Sequence, residues 1–368
     1  MNVPSVKIDL ENRRNKALRD PDMLLEYIDS MIKDDAMHYV MIDEVQLVSE
    51  FEDVLNSYLK VPNVDIYATG SNAKFLSKDI ITTFRGRSFE IKVYPLSFSE
   101  FFSVYDGQQE DALDAYMTYG GMPQILRFNN NELKSGYLKN LYIETYLRDI
   151  KERYRIKNDE DMENLLDFIS SSIGSLTNPS KLANTFTTLK REKISRNTVC
   201  NYLEYICDAF LTEKALRYDI KGKKYLETPY KYYFTDLGLR NARLNFRQLE
   251  PSHMIENIIY NELKIRGFNV DVGVVPIVRR NSEGKQKRAC LEIDFVCNNG
   301  NRKYYIQSAY RMLDEDKIRQ EEASLRNVDD SFKKIIVVGS NIIIRRNEVG
   351  ITTMGIYDFL LRDNSLEL

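Results

Sequence analysis

The sequence predicts an α/β protein built on a parallel β-sheet, and three observations carry that expectation. Between Val6 and Tyr94, apolar runs of strand length alternate with segments of helical period, the order that makes parallel βαβ units. His38-Tyr39-Val40-Met41-Ile42 is a near-continuous apolar run, as expected of a strand buried on both faces. That run breaks off into two adjacent carboxylates, Asp43-Glu44, where the strand end faces the crevice of such a sheet.

Taken in order, Val6 to Leu10 reads as a strand, and Pro21 to Ile32 as a helix opened by Asp20-Pro21. Phe51 to Leu59 is a second helix. Val64 to Thr69 is the next strand, ending in Gly70-Ser71-Asn72, and Phe89 to Tyr94 is a fourth, stopped by Pro95. From Ser99 to Phe168 the pattern is helical, interrupted by Tyr119-Gly120-Gly121-Met122-Pro123. Within it, Leu138, Leu141, Tyr142, Tyr146 and Ile150 keep a helical period. A smaller unit from Leu165 to Asn245 has short helices, then one opened by Ser195-Arg196-Asn197-Thr198 with Val199, Leu203, Ile206 and Phe210 on one face. A hairpin rich in tyrosine and lysine follows, turning at Lys221-Gly222-Lys223, which is the layout of a winged helix. The last block, Leu249 to Leu368, returns to α/β. Its helix spans Met254 to Ile265, and its strands are Asn269–Val275, Ala289–Val296, Lys303–Ser308 and Lys334–Val338.

Composition narrows the function classes. At 368 residues the chain has room for two or three domains, and its 43% hydrophobic and 29% charged residues are ordinary for a globular protein. A net charge of −3 gives no global attraction to nucleic acid or to an anionic membrane, so any such binding needs a local patch. No apolar run approaches the roughly 20 residues of a membrane span. Met1-Asn2-Val3-Pro4 does not open a signal peptide, so a cytoplasmic protein is expected. The four cysteines, Cys200, Cys207, Cys290 and Cys297, lack zinc-site spacing and read as reduced thiols. His38 and His253 have no ligand-spaced partner.

The carboxylate pair carries the first chemical expectation. Phosphoryl transfer needs Mg²⁺ bound by one carboxylate and a water held by another. Asp43 suits the metal side and Glu44 the water side, the pattern of a Walker B strand; capping of a following helix explains the pair equally well when it is taken alone. Thr69-Gly70-Ser71-Asn72 ends the next strand in small polar side chains able to orient that water or touch a γ-phosphate. Arg85 and Arg87 precede the fourth strand, where an arginine can reach a phosphate; surface charge is as good an explanation of each. No Walker A pattern, G-x-x-x-x-G-K-[ST], occurs in the 368 residues.

The ordered motifs resemble a family of prokaryotic AAA-type ATPases, relatives of the archaeal and STAND-like ATPases, that carry a C-terminal domain of unknown function. The residues in question are Asp43-Glu44-Val45-Gln46-Leu47, Thr69-Gly70-Ser71-Asn72, Phe84-Arg85-Gly86-Arg87, Tyr94-Pro95-Leu96-Ser97-Phe98-Ser99-Glu100-Phe101 and Tyr119-Gly120-Gly121-Met122-Pro123. Tyr232 to Arg240, Glu256-Asn257 and Glu292-Ile293-Asp294-Phe295-Val296 continue the series, so it covers essentially the whole chain. The resemblance implies ATP and Mg²⁺ as cofactors, Asn72 as a sensor, and Arg85 or Arg87 as phosphate contacts. It also implies four parts: a P-loop NTPase core of AAA type over residues 1–105, a helical lid over 106–164, a winged helix over 165–245, and a restriction-endonuclease-like domain over 246–368. In the family the P-loop precedes the segment matched here. Val6–Leu10 is then the second, edge strand, and the first strand with its phosphate-cradling loop is missing. A truncated gene model, a fragment or a degraded paralogue, binding ATP poorly, is the expectation.

Two further expectations concern partners. On the winged helix, Arg196, Asn197 and Asn201 face outward, and Lys221, Lys223, Lys224 and Lys231 line the wing, a surface for DNA phosphates that Glu204 and Asp208 oppose. The C-terminal block resembles the PD-(D/E)XK nuclease fold, whose site takes a helical glutamate, an aspartate at a strand end and a Glu-x-Lys on the adjacent strand. Glu256 and Asp294 match the first two, whereas Gln307 and Ala309 stand at the Glu and Lys positions, with Arg311 beyond them. The resemblance thus implies a degenerate metal set of Glu256, Asp294 and Gln307. The function expected is an AAA-type ATP-binding protein whose hydrolysis serves an unidentified process, impaired by the absent P-loop, with DNA and self-association as candidate interactions and no membrane. The alternative is a non-catalytic DNA- or protein-binding module.

Overall fold

Three strands near the N-terminus pair in the order in which they occur: β1 (Ser5–Asp9), β2 (His38–Asp43) and β3 (Val64–Ala68), all parallel. The computed structural model describes residues 5–70, 84, 87–156, 159–190, 194–280, 286–312 and 315–368. They fall into two compact units, Met1–Val93 and Tyr94–Leu368.

In the first unit, helix α1 (Pro21–Met31) joins β1 to β2 and α2 (Phe51–Tyr58) joins β2 to β3. Asp20 caps α1, its carboxylate accepting the Asp22 and Met23 N–H groups, with Pro21 in the first turn. Both crossovers step the same way across the sheet. Right-handed connections then put both helices on one face, and that is where Val6, Ile8, Val40 and Ile42 meet Leu24, Ile28, Val54 and Leu55. The expectation that β2 is buried on both faces is therefore corrected. Met41 is 40% and Tyr67 47% exposed on the opposite face.

The fourth strand expected at Phe89–Tyr94 is also corrected. Those residues form no strand, and Phe89 is 89% and Val93 93% exposed. Their alternation suits a strand, but extended backbone without a neighbouring ladder gains too little to offset its ordering entropy.

The second unit begins with helices. α3 (Phe98–Ser103) starts with a capping box between Ser97 and Glu100, and α4 (Gln109–Tyr119) ends at Gly120. Residues 131–154 make one continuous helical run, with α5 (Asn131–Asn140) and α6 (Arg148–Tyr154) joined through a π-helical stretch, Leu141–Leu147. Then come α7 (Asp159–Ser171), α8 (Pro179–Lys190) and α9 (Arg196–Asp208). Ser195 caps α9 through the Thr198 N–H. Phe210, expected on the apolar face of α9, lies beyond its end with a φ of 55°.

Strands β4 (Thr212–Asp219) and β5 (Lys224–Phe234) form the hairpin, turning at Lys221-Gly222-Lys223. After α10 (Leu237–Arg243) and α11 (Pro251–Ile265) come β6 (Asn269–Arg280), β7 (Gln286–Asn299), β8 (Arg302–Ala309), α12 (Glu315–Arg326), β9 (Lys333–Val338), β10 (Arg345–Arg346), β11 (Ile351–Gly355) and α13 (Ile356–Leu361). The hairpin does not stand apart from these strands. β4 pairs in parallel with β6, Arg217 opposite Val272 and Asp219 opposite Val274, giving one eight-stranded sheet of order β10-β11-β9-β8-β7-β6-β4-β5. The segments expected as lid, winged helix and C-terminal domain share a hydrophobic core that runs from Phe98 through Leu166, Val199 and Phe234 to Ile258 and Phe359.

Candidate functional site

The first candidate site is the carboxyl end of β2. Asp43 is its last residue and is exposed there. Thr69 follows β3 and extends its ladder, donating its N–H to the Ile42 carbonyl at 2.8 Å. The Thr69 hydroxyl donates to Asp43 Oδ1, the Glu44 N–H donates back to that hydroxyl at 3.3 Å, and the Val45 N–H reaches the Thr69 carbonyl at 3.0 Å. Glu44 sits at φ 55°, a left-handed conformation unusual for a side-chain-bearing residue, and this turns its N–H toward Thr69. The Gln46 carboxamide donates to the Glu44 carboxylate. At the end of β1, Asp9 caps the Glu11 and Asn12 N–H groups at 2.9 and 3.1 Å.

Two groups are implied for this site, and they fit differently. A hard carboxylate oxygen, oriented by a neighbouring hydroxyl and open to solvent, suits Mg²⁺. A triphosphate asks for a glycine-rich nest of N–H groups. Gly70 and Gly86 are the sole glycines before Gly107, so these residues do not supply that nest. Arg87 is exposed, its N–H donating to the Phe84 carbonyl at 2.9 Å. Asn72 and Arg85 lie outside the described residues.

The second candidate lies in the other unit. Strand alternation puts Lys231 and Tyr233 on one face of β5, and Glu292 and Asp294 on one face of β7. α11 adds Glu256, and its neighbour Asn257 pins the helix to β5. The Asn257 carboxamide accepts the Phe234 N–H at 2.8 Å and donates to the Phe234 carbonyl at 2.7 Å. Lys231, 4% exposed, points inward; Nζ stands 2.8 Å from Glu256 Oε1, 2.9 Å from Glu292 Oε1 and 3.7 Å from Asp294 Oδ1. The Tyr233 hydroxyl donates to the same Glu256 oxygen at 2.7 Å, and the Ser308 N–H donates to Asp294 Oδ2 at 2.8 Å.

Burial opposes the Lys231 charge, but Glu256, Asp294 and Glu292 outweigh it and hold the ammonium well above the usual lysine range. Burial and then the Glu256 charge push Asp294 up, against Lys231 and the Ser308 N–H.

Of the metal set that the resemblance implies, the structure brings Glu256 and Asp294 together around the Lys231 ammonium. Gln307 Oε1 lies 3.4 Å from the Asp294 N–H, while its Nε2 lies 3.4 Å from Glu321. Ala309 is core, and Arg311 is exposed, its guanidinium 5.0 Å from the centre of the Tyr310 ring. Among the described residues no group of three or more His, Cys, Asp or Glu side chains could hold a metal ion. Lys231, expected on the wing surface, is interior, and neither its role nor that of Glu292 was anticipated. Its alternation with Tyr233 along β5 was the available signal. Lys221, Lys223 and Lys224 are exposed at the hairpin turn, and Arg196, Asn197 and Asn201 are exposed on α9.

Residues 2–102 match the AAA domain, and residues 110–250 match a domain of unknown function (DUF8612), within a chain of mixed α/β fold. An uncharacterized protein of Haemophilus influenzae is 33% identical over 330 residues, 88% of this chain and 78% of that protein. The chain belongs to the family of that Haemophilus protein. An uncharacterized protein of Methanocaldococcus jannaschii is 27% identical over 303 residues, and the chain spans 65% of its length. Among solved structures, a Vibrio cholerae protein is 14% identical with a TM-score of 0.23, over 97% of this chain and 95% of that one. The Aeropyrum pernix ORC1 protein in complex with DNA is 10% identical with a TM-score of 0.28, over 66% and 78%. Overlaps of that size define no shared function. Among the described residues no helix is long and apolar enough to cross a membrane.

Proposed function

We propose that the first unit is the Mg²⁺ and water side of an AAA-type ATP site, with Asp43 holding the metal and Glu44 the attacking water. Asn72 is the proposed sensor, and Arg85 or Arg87 the proposed phosphate contact. The observation that carries the proposal is the Thr69 hydroxyl on Asp43. It fixes a strand-end carboxylate from the neighbouring strand, in the position where phosphoryl transfer needs an oriented metal ligand. The glycine-rich loop and lysine that would cradle the β- and γ-phosphates do not occur in these 368 residues, and one arginine does not replace them. ATP hydrolysis by this chain alone is therefore negligible, whatever process the family serves.

The test is a titration of Mg·ATP against the chain and against Asp43→Asn. Binding weaker than about 1 mM, less than about 4 kcal/mol of binding free energy, and lost in the variant, is expected. Micromolar binding by the unmodified chain would overturn the reading, as would residual binding indifferent to Asp43.

A second reading, a DNA-binding module, is favoured by the exposed lysines of the hairpin turn and by the exposed Arg196 and Asn197 of α9. Glu204 on α9 and Glu227 on the hairpin are exposed as well and oppose it.

A further inference from the structure

The resemblance of the C-terminal block to metal-dependent nucleases implies Mg²⁺ between Glu256 and Asp294, and the residues present do not fit it. We infer that the Lys231 ammonium is the resident cation of this carboxylate cluster, a tethered counter-ion standing where a divalent metal would have to bind.

Three features support this. The ammonium is within 3 Å of oxygens of both Glu256 and Glu292 and faces Asp294 as well, so it already takes the convergent lone pairs. Mg²⁺ binds oxygen at about 2.1 Å in near-octahedral geometry, and an ion on those oxygens would be pressed against a second positive charge. Two further hydrogen bonds compete for the same carboxylates, from the Tyr233 hydroxyl to the Glu256 oxygen that the ammonium already meets and from the Ser308 N–H to the second oxygen of Asp294.

Nor can the lysine swing aside. It lies within β5, and the next inward residue, Tyr233, stacks on Tyr260 of α11 with ring centres 4.2 Å apart. Moving the ammonium would leave both it and the carboxylates buried and uncompensated. The cluster thereby joins β5, α11 and β7 by charge, and its chemistry is structural.

Mn²⁺ titration of the full chain, followed by the electron paramagnetic signal of the free ion and by thermal unfolding, tests the assignment. The unmodified chain and Asp294→Asn should bind Mn²⁺ identically, whatever other sites contribute. Lys231→Met, similar in length and uncharged, should gain a bound Mn²⁺ that Lys231→Met/Asp294→Asn lacks. Mn²⁺ binding by the unmodified chain that Asp294→Asn abolishes would overturn the inference, and so would a folded Lys231→Met that gains no ion. If Lys231→Met does not fold, Lys231→Met/Glu256→Gln/Glu292→Gln/Asp294→Asn should, because the three carboxylate charges needing compensation are gone. Failure of that neutralised variant to fold would also overturn it.

Discussion

Asp236 shows how much of the second unit depends on single buried groups. It caps α10 through the Leu239 N–H at 2.9 Å and also accepts the Gly121 N–H at 2.7 Å. The glycine pair before Pro123 is thereby locked to the residues after the hairpin. Gly120 takes φ 73°, and a Cβ there would run into the Asp236 carboxylate. Gly120→Ala is expected to cost about 2–4 kcal/mol, from left-handed strain plus that overlap, measured by urea unfolding. Burial pushes Asp236 up to about 6, even though backbone N–H groups from Leu239 and Gly121 favour its charge. Its folded value lies above its unfolded one, so the native state prefers the protonated form. The stability this group contributes is full below about pH 4 and is lost as pH rises through about 6, a change of at most about 3 kcal/mol. Urea midpoints across that window should show the fall, and Asp236→Asn should remove it. Arg240 completes the clasp, fully buried with Nε on the Ser170 carbonyl at 2.8 Å and Nη1 on the Asn241 carboxamide at 3.0 Å. Asp236 and Arg240, within the motif Tyr232 to Arg240, therefore act here as an internal fastening.

At the scale of elements, local signals located most helices and strands, and neighbours decided the rest. Asp20-Pro21 and Ser195 mark helix starts because capping is settled within one turn. The apolar alternation of Phe89 to Val93 marked a strand that is not there, because a strand needs a partner and alternation does not provide one. The helical period from Leu138 to Ile150 holds across a π-helical stretch that periodicity alone does not reveal. α11 is tied to β5 by Asn257, whose carboxamide meets both backbone groups of Phe234 in the core. Asn257→Ala leaves the Phe234 N–H without its partner, while the Phe234 carbonyl keeps the Asn261 carboxamide at 3.0 Å. It should cost about 1–3 kcal/mol, seen as a lower urea midpoint with the folded circular-dichroism spectrum retained.

Across the whole molecule, each unit has its own core: one around Val40, Ile42 and Leu24, the other running from Phe98 to Phe359. Residues 94–368 expressed alone should therefore unfold cooperatively, with the thermal transition they show in the intact chain. A broad or lowered transition would mean that the first unit supports the second. If the second unit engages DNA through its hairpin turn, affinity must fall steeply with salt. Lys221→Ala/Lys223→Ala/Lys224→Ala should then reduce the slope of log affinity against log salt by about 0.9 for each phosphate contact removed. An unchanged slope excludes the turn as the contact surface.

The α/β class of the first unit, the carboxylate pair at the end of β2, the position of the hairpin turn and most strands of the last block are legible in the order of residues alone. Each of these is written in neighbouring residues, as a period, a cap or a break. That the hairpin joins the C-terminal sheet, that β2 is covered on one face, and that Lys231 is an internal counter-ion follow from the folded arrangement. Those outcomes depend on pairing between segments far apart in the chain, β4 with β6 and Lys231 with Glu292. A lysine on a strand reads the same whether its side chain meets water or three carboxylates; which of the two it meets is set by the strands and the helix folded against it.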